Sequence, residues 1–427
     1  MKIGLACLVP FFSDEAYYWV WSKNLQLSYF DHPPFVAWLF WIGQFLDQFG
    51  TASRLPFVIL SHLTIWIWCS TLAKDQTNNK KILLHWILIL HPLTGLGGLV
   101  ANPDIPFLFF WSLSIYFYLK SIENPQSKKL PALLGITLGL AFCSKYLIAL
   151  ILPVIFVHLL LQQNWKRISP ATYVVTFLFG LIFSLPVLVW NHMHDWVSIQ
   201  FQIDHGLGQK GWKPSWTLDF LVGTIVLLFP PFVYLFFKSS VWKKRDFHTV
   251  AFLVLFSFFT YTSFKGDTEL NWPIMIYPSF FLVLLGLDFK MPKILTAYFV
   301  FFAAISVFLI GGTLGLWGHE LHGRLNEGLK AQRIFEQSKN YIPLYLSTYQ
   351  NASYFWFISK KPYYKLSSSS RFDFFDTLSE SEPTEPVFYF LKEQYQIIPP
   401  AFKTKYRFEK IADLDFKFEV YKAVRNP

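Results

Sequence analysis

Apolar residues in this chain come in long unbroken runs, not in the period-2 or period-3.6 alternation of half-buried strands and surface helices. The runs occupy residues 35–48, 54–73, 82–100, 104–119, 130–143, 146–161, 170–190, 218–237, 247–264, 272–287 and 294–317. A helix that is apolar on every side is stable against lipid or other buried helices, not against water. The pattern therefore predicts an all-α, polytopic membrane protein with roughly eleven to thirteen spans of about 20 residues. Ahead of the first acidic residues, MKIGLACLVPFF offers about twelve residues, short of the roughly 17–25 needed to cross the hydrocarbon, and is expected to be a shortened first span. After Trp317 charges interrupt every apolar stretch. HELHGRLNEGLKAQRIFEQSKN reads as a helix, and IPLYLSTY, EPVFYFL and FKFEVYKAV read as strands. A membrane domain over 1–317 and a small C-terminal α/β domain over 318–427 are expected, with SSSS at 367–370 as a surface loop.

Composition sharpens this picture. Residues are 53% hydrophobic, 20% aromatic and only 15% charged, which excludes an ordinary soluble domain. The net charge of +10 resolves into a lysine bias between two sets of loops and gives no sign of a nucleic-acid partner. KDQTNNKK, KSIENPQSKK, QQNWKR, KSSVWKKRD and DFKMPK are basic and otherwise plain. The alternate set, 13–34, ANPD, CSKY, 191–214 and FKGDTELNW, is poor in Lys and Arg. By the positive-inside rule the first set is cytoplasmic, which leaves the second set and the C-terminal domain outside. Cys7, Cys69 and Cys143 lie in apolar surroundings with no disulfide or zinc spacing.

Nearly all the polar side chains with chemical potential fall in the second set. The first outer loop, 13–34, holds DEAYYWVWSKNLQLSYFDHPP. As a helix it would place Asp14 on one face with Tyr17, Tyr18 and Trp21, an amphipathic segment with rings at headgroup depth. An aromatic belt explains the rings and one acid, but not Asp31 and His32 held by Pro33 and Pro34 where the chain re-enters the membrane. In NPDIP, Asp104 stands between two prolines at the mouth of a span, where a carboxylate is costly unless it faces a cavity. Asp14 and Asp104 are candidates to share one cavity, with a base tuned by partial desolvation. Lys145 in CSKY and Lys265 in FKGDTELNWP are scarce cations on this side. Either alone could snorkel to the interface, but with the acids they suggest an anion site, phosphate being the natural ligand. The 191–214 loop adds Asn191, His192, Asp195 and His205, with glycines at 206, 208 and 211 suggesting a flap or a plain turn. His192 and His194, two residues apart, do not share a helix face and make a poor metal pair.

DEAYYW, YFDHPP, NPD, SKY, WNHMHDWVSIQFQIDHG and LNWP, in that order, resemble the bacterial branch of glycosyltransferase family 39, relatives of protein O-mannosyltransferases and of the lipid A aminoarabinose transferase. The resemblance implies a GT-C fold and inverting transfer of a sugar from a polyprenyl-phosphate carrier to a glycolipid or protein acceptor at the periplasmic face of the inner membrane. It implies Asp14 as general base, Glu15 as its acidic companion, Asp104 as the second outer acid and Lys145 as a ligand of the carrier phosphate. His32 stands where the aminoarabinose enzymes have a lysine. Tyr17, Tyr18, Asp31, Tyr146, His205 and Lys265 complete the expected substrate site. Inverting displacement of a phosphate needs one base and charge stabilisation but no covalent nucleophile, so no cofactor is required. A divalent cation is compatible with these acids but not forced by them. The competing reading is a non-catalytic transporter or binder of lipid-linked sugars, which would place charges through the bilayer midplane and on both faces.

Overall fold

A computed structural model describes residues 2–163, 168–208, 211–287, 292–317 and 325–427. The apolar runs are helical. Four described helices, Ala52–Leu72, Asp104–Glu123, Pro170–Met193 and Pro292–Thr313, are long and apolar enough to cross a membrane. Pro214–Leu228 and Pro230–Lys238 would form a fifth span, bent by 85° at Phe229, whose positive φ and following prolines break the hydrogen-bond ladder. Other runs give shorter apolar helices, such as Lys129–Phe142 and Phe247–Ser263, so the spans countable by length are fewer than the runs suggested. In GITLG, Gly135 and Gly139 let the Lys129–Phe142 helix lie directly on Pro170–Met193. A Cβ at Gly135 would stand 2.4 Å from the Thr176 carbonyl oxygen.

The bundle has two polar ends. Asp104 opens the Asp104–Glu123 helix and Glu123 closes it, about 30 Å away at 1.5 Å per residue. At the far end Glu123 pairs with Lys120 (2.7 Å) and with Lys74 of the KDQTNNKK loop (2.8 Å). Gln162 there donates to the Arg245 carbonyl at 2.6 Å. The described parts of the KDQTNNKK and KSIENPQSKK loops thus meet at the end opposite Asp104.

C-terminal to the bundle, a five-stranded sheet has the order β2-β1-β3-β5-β4. Its strands are β1 (Leu344–Leu346), β2 (Tyr364–Lys365), β3 (Val387–Glu393), β4 (Tyr406–Leu414) and β5 (Phe418–Arg425). β1 runs parallel to β2 and β3, whereas β5 pairs antiparallel with β3 and β4. Alternation along β3 sends Phe388 and Phe390 to one face and Leu391 to the other. The expected helix is present as Glu327–Ser338, while 319–324 of that pattern, like the boundary at 318, lie outside the described residues. The sheet's second face and the helix Tyr349–Ser359 share one apolar core with the first-loop helix Ser13–Lys23.

That shared core corrects one expectation. Ser13–Lys23 is helical, but its rings do not lie at a lipid surface: Tyr17, Tyr18, Trp19 and Trp21 are all buried. Trp21 stacks on Tyr29 (4.1 Å, 7° between planes), and Tyr17 packs against Tyr349 and Phe375 of the C-terminal domain. A large ring gains more from a second apolar wall than from a headgroup layer, and the domain supplies that wall.

Candidate functional site

Between the bundle and the C-terminal domain lies a cavity of about 1030 Å³, lined by Asp14, Glu15, Tyr17, Tyr18, Asp31, His32, Asp104, Lys145 and His205 among others. It thereby gathers most of the residues chosen from sequence, although four distant segments contribute them.

Asp14, in the first turn of Ser13–Lys23, reaches the cavity with its side chain accessible and accepts a 3.2 Å hydrogen bond from the Tyr349 hydroxyl. The protein packed around it raises its carboxyl above the ordinary carboxylate range. The Tyr349 hydrogen bond opposes that shift, Asp31 and Glu269 add to it, and Arg371 opposes it. A carboxyl raised in this way holds a proton more tightly than an exposed aspartate, as a general base requires.

Glu15 differs. Its Oε2 accepts from Phe12 N–H (2.9 Å) and from Arg54 Nη2 (2.9 Å), its Oε1 accepts from Ala101 N–H (2.7 Å), and both charged side chains are 1% exposed. With both oxygens occupied it acts as a positioning residue, fixing the helix start to the loop before Asp104. Burial raises its carboxyl, while Arg54 and the two N–H groups hold the charged form.

Asp104 and Lys145 form a buried pair at 2.6 Å, and Asp104 Oδ2 accepts from Asn271 Nδ2 at 3.0 Å. The helix N-terminus adds favourable potential for the carboxylate. Asp31 accepts from the Tyr17 hydroxyl (2.7 Å) and from Arg371 Nη1 (2.6 Å), and its carbonyl accepts from Gln202 (2.5 Å). His32 stands close to Tyr18, and its Nδ1 has no hydrogen-bond partner among the described residues. Desolvation pushes its pKa down to about 3, with Lys145, His205 and Arg371 adding to the effect, so the imidazole is neutral at physiological pH. It therefore supplies no positive charge to the cavity. His205, on the Val197–Leu207 helix, lies over Trp272 at 5.3 Å.

Two expected members stand outside. Lys265 follows the Phe247–Ser263 helix, its N–H bonded back to Thr262, and its exposed amine lies over Tyr261 at 5.8 Å. Its segment turns there, bringing Glu269, Asn271 and Trp272 to the cavity instead. Tyr146 points behind the wall, bonded through its hydroxyl to Ser198 (2.9 Å) and Asn191 (3.2 Å), where it fastens the Val197–Leu207 helix. Sequence reasoning missed Arg371 and Tyr349 of the C-terminal domain. The only local signal for Arg371 was its place after the serine run. Among the described residues no group of three or more His, Cys, Asp or Glu side chains is arranged to hold a metal ion.

Residues 31–190 match the family model described as dolichyl-phosphate-mannose-protein mannosyltransferase. Across 99% of its length the chain superposes on 95% of the crystal structure of ArnT from Cupriavidus metallidurans bound to undecaprenyl phosphate, with a TM-score of 0.68 and 13% identity. The resemblance to glycosyltransferase family 39 is borne out. The fold is that of the ArnT structure, and the apo ArnT structure matches as well, with a TM-score of 0.69 and 14% identity. In sequence, the chain is 26% identical over 200 residues to the lipid A galacturonosyltransferase RgtD of Rhizobium johnstonii, covering 45% of this chain and 41% of that protein. It is 28% identical over 185 residues to the undecaprenyl phosphate-alpha-4-amino-4-deoxy-L-arabinose arabinosyl transferase 2 of Pseudomonas fluorescens, covering 40% of this chain and 33% of that protein. The chain thus aligns with well under half the length of each. Within the family-matched segment lie Asp31, His32, Asp104 and Lys145, whereas Asp14 precedes it and Tyr349 and Arg371 follow it.

Proposed function

We propose that this protein is an inverting glycosyltransferase that moves one sugar from a polyprenyl-phosphate carrier to a lipid A or lipopolysaccharide-type acceptor, a protein acceptor being the less supported alternative. Asp14 accepts the proton of the acceptor hydroxyl as that oxygen attacks the anomeric carbon and the carrier phosphate departs. The observation that carries this reading is the accessible, raised-pKa carboxyl of Asp14 in the same cavity as the Lys145–Asp104 pair. Lys145 stabilises the charge that grows on the departing phosphate, and Asp104 orients Lys145. Neutral His32 and the Tyr18 ring offer surfaces for the sugar. Phosphate departs readily once its charge is balanced, so no second carboxylic acid is needed, unlike in glycoside hydrolysis.

The active site and C-terminal domain are read as periplasmic, because lysines of two basic loops meet at the opposite end of the bundle. A reporter fused at the C-terminus and protected from cytoplasmic protease in intact cells is the expected result. The function is tested by incubating the purified protein in lipid nanodiscs with undecaprenyl-phosphate sugars and lipid A, then analysing the glycolipid by mass spectrometry. A mass increase of one sugar residue, dependent on donor and protein, is expected. Donor binding with no transfer to any glycolipid or peptide would favour the non-catalytic binder.

A further inference from the structure

We propose that Arg371, carried into the cavity by the C-terminal domain, binds a substrate phosphate, so that the soluble domain completes the site built by the membrane helices. This rests on the transferase reading above and adds to it a second, more accessible cation beside the buried Lys145.

The cations expected from sequence leave accessible positive charge short. Lys145 is held by Asp104 at 2.6 Å and is almost fully buried, His32 is neutral, and Lys265 does not line the cavity. Arg371 lines the cavity with its side chain 43% exposed. Its Nη1 donates to Asp31 (2.6 Å) and to the Phe372 carbonyl (3.3 Å), while the guanidinium lies 4.7 Å from the Tyr349 ring and 5.7 Å from the Phe201 ring. Two aromatic rings thus flank a planar fork that lines the same cavity as Asp14. A guanidinium has five donors in a geometry that matches two oxygens of a carboxylate or a phosphate, and Asp31 displays the carboxylate half of that preference.

The loop bearing Arg371 is fastened rather than loose. Lys365, fully buried, is held by Asp373 at 2.6 Å and by Asp376, and donates to the Arg371 carbonyl at 2.9 Å. The Phe374 N–H donates to the Tyr17 hydroxyl at 2.8 Å, tying the loop to the helix that carries Asp14. Tyr17 in turn donates to Asp31 at 2.7 Å, so Asp31 keeps a partner if Arg371 shifts its fork toward a phosphate. Arg371 is therefore positioned to recognise phosphate, whether that of the polyprenyl carrier or one borne by the acceptor glycolipid.

Purified full-length protein carrying Arg371→Ala or Arg371→Lys is compared with wild type in two measurements. One is equilibrium binding of undecaprenyl phosphate, read by tryptophan fluorescence. The other is the KM for phosphorylated and for dephosphorylated lipid A at saturating donor. Loss of at least tenfold in undecaprenyl phosphate affinity for Arg371→Ala, with a smaller loss for Arg371→Lys, places the carrier phosphate on Arg371. An unchanged carrier affinity with a KM at least tenfold higher for the phosphorylated acceptor alone places the acceptor phosphate there. If wild type transfers sugar and neither quantity moves in either variant, Arg371 does not bind phosphate and the transferase reading stands. If wild type neither binds the carrier nor transfers sugar, both readings fall. Should Arg371→Ala not fold, Arg371→Lys decides, because it keeps the charge opposite Asp31 and loses only the fork.

Discussion

The Ser13–Lys23 helix turns about 100° per residue, so its two adjacent carboxylates leave it in different directions and meet different surroundings. Asp14 enters a cavity with one hydrogen bond from Tyr349, while Glu15 enters protein and is saturated by Arg54, Phe12 and Ala101. One acid retains spare capacity for a proton and a ligand. The other has spent its capacity on holding the first in place. Sequence adjacency and chemical likeness therefore do not make a catalytic pair, and each residue should fail in its own way.

The largest expected effect on stability is at the sealed pair. Glu15→Ala leaves Arg54 buried without its counter-charge, at a cost of about 3–5 kcal/mol, measurable as a lowered thermal midpoint in detergent. Replacing both residues with methionine should recover much of that loss, because an apolar pair needs no desolvation. Asp14→Asn is expected to do the opposite. A carboxyl whose folded pKa is raised contributes stability below its unfolded pKa and loses it as pH rises through the folded value, so above that range Asp14 works against the fold. The amide should leave the thermal midpoint unchanged or slightly raised.

pH profiles sharpen the contrast. A base acts when deprotonated, so the acid limb of kcat/KM should fall at a pH above the ordinary aspartate value of about 3.9. His32, depressed to about 3, contributes stability above its unfolded pKa of about 6.5 that is lost as pH falls toward 3. His32→Gln should flatten that part of the stability profile. The smallest effect is expected for Tyr349→Phe, which removes one hydrogen bond worth about 0.5–1.5 kcal/mol and should move the acid limb further up, by less than about one pH unit.

Much of the fold could be read from local pattern. The apolar runs became helices, and IPLYLSTY, EPVFYFL and FKFEVYKAV became β1, β3 and β5. β4 was missed because YRFEKIADL is an edge strand whose charged side chains face water, and β2 because two residues carry no period. In the site, Asp14, Asp31, His32, Asp104 and Lys145 stood out because each is a polar group where a span begins or a loop is stiffened by proline. Arg371 and Tyr349 lie more than 300 residues from Asp14 in a domain that looked separate, and no local pattern reports a contact made by tertiary packing. Lys265 and Tyr146 failed for a related reason: loop membership says which side of the membrane a residue occupies, not which way its side chain turns.

Sugar transfer from an undecaprenyl-phosphate donor to lipid A by the Asp14→Asn protein, side by side with wild type and with thermal midpoints recorded for both, tests the central assignment most directly. Loss of two to four orders of magnitude in rate, about the worth of a positioned general base, is expected in a protein that melts no lower than wild type. Wild-type turnover by the Asn variant would contradict it and remove Asp14 from the chemistry.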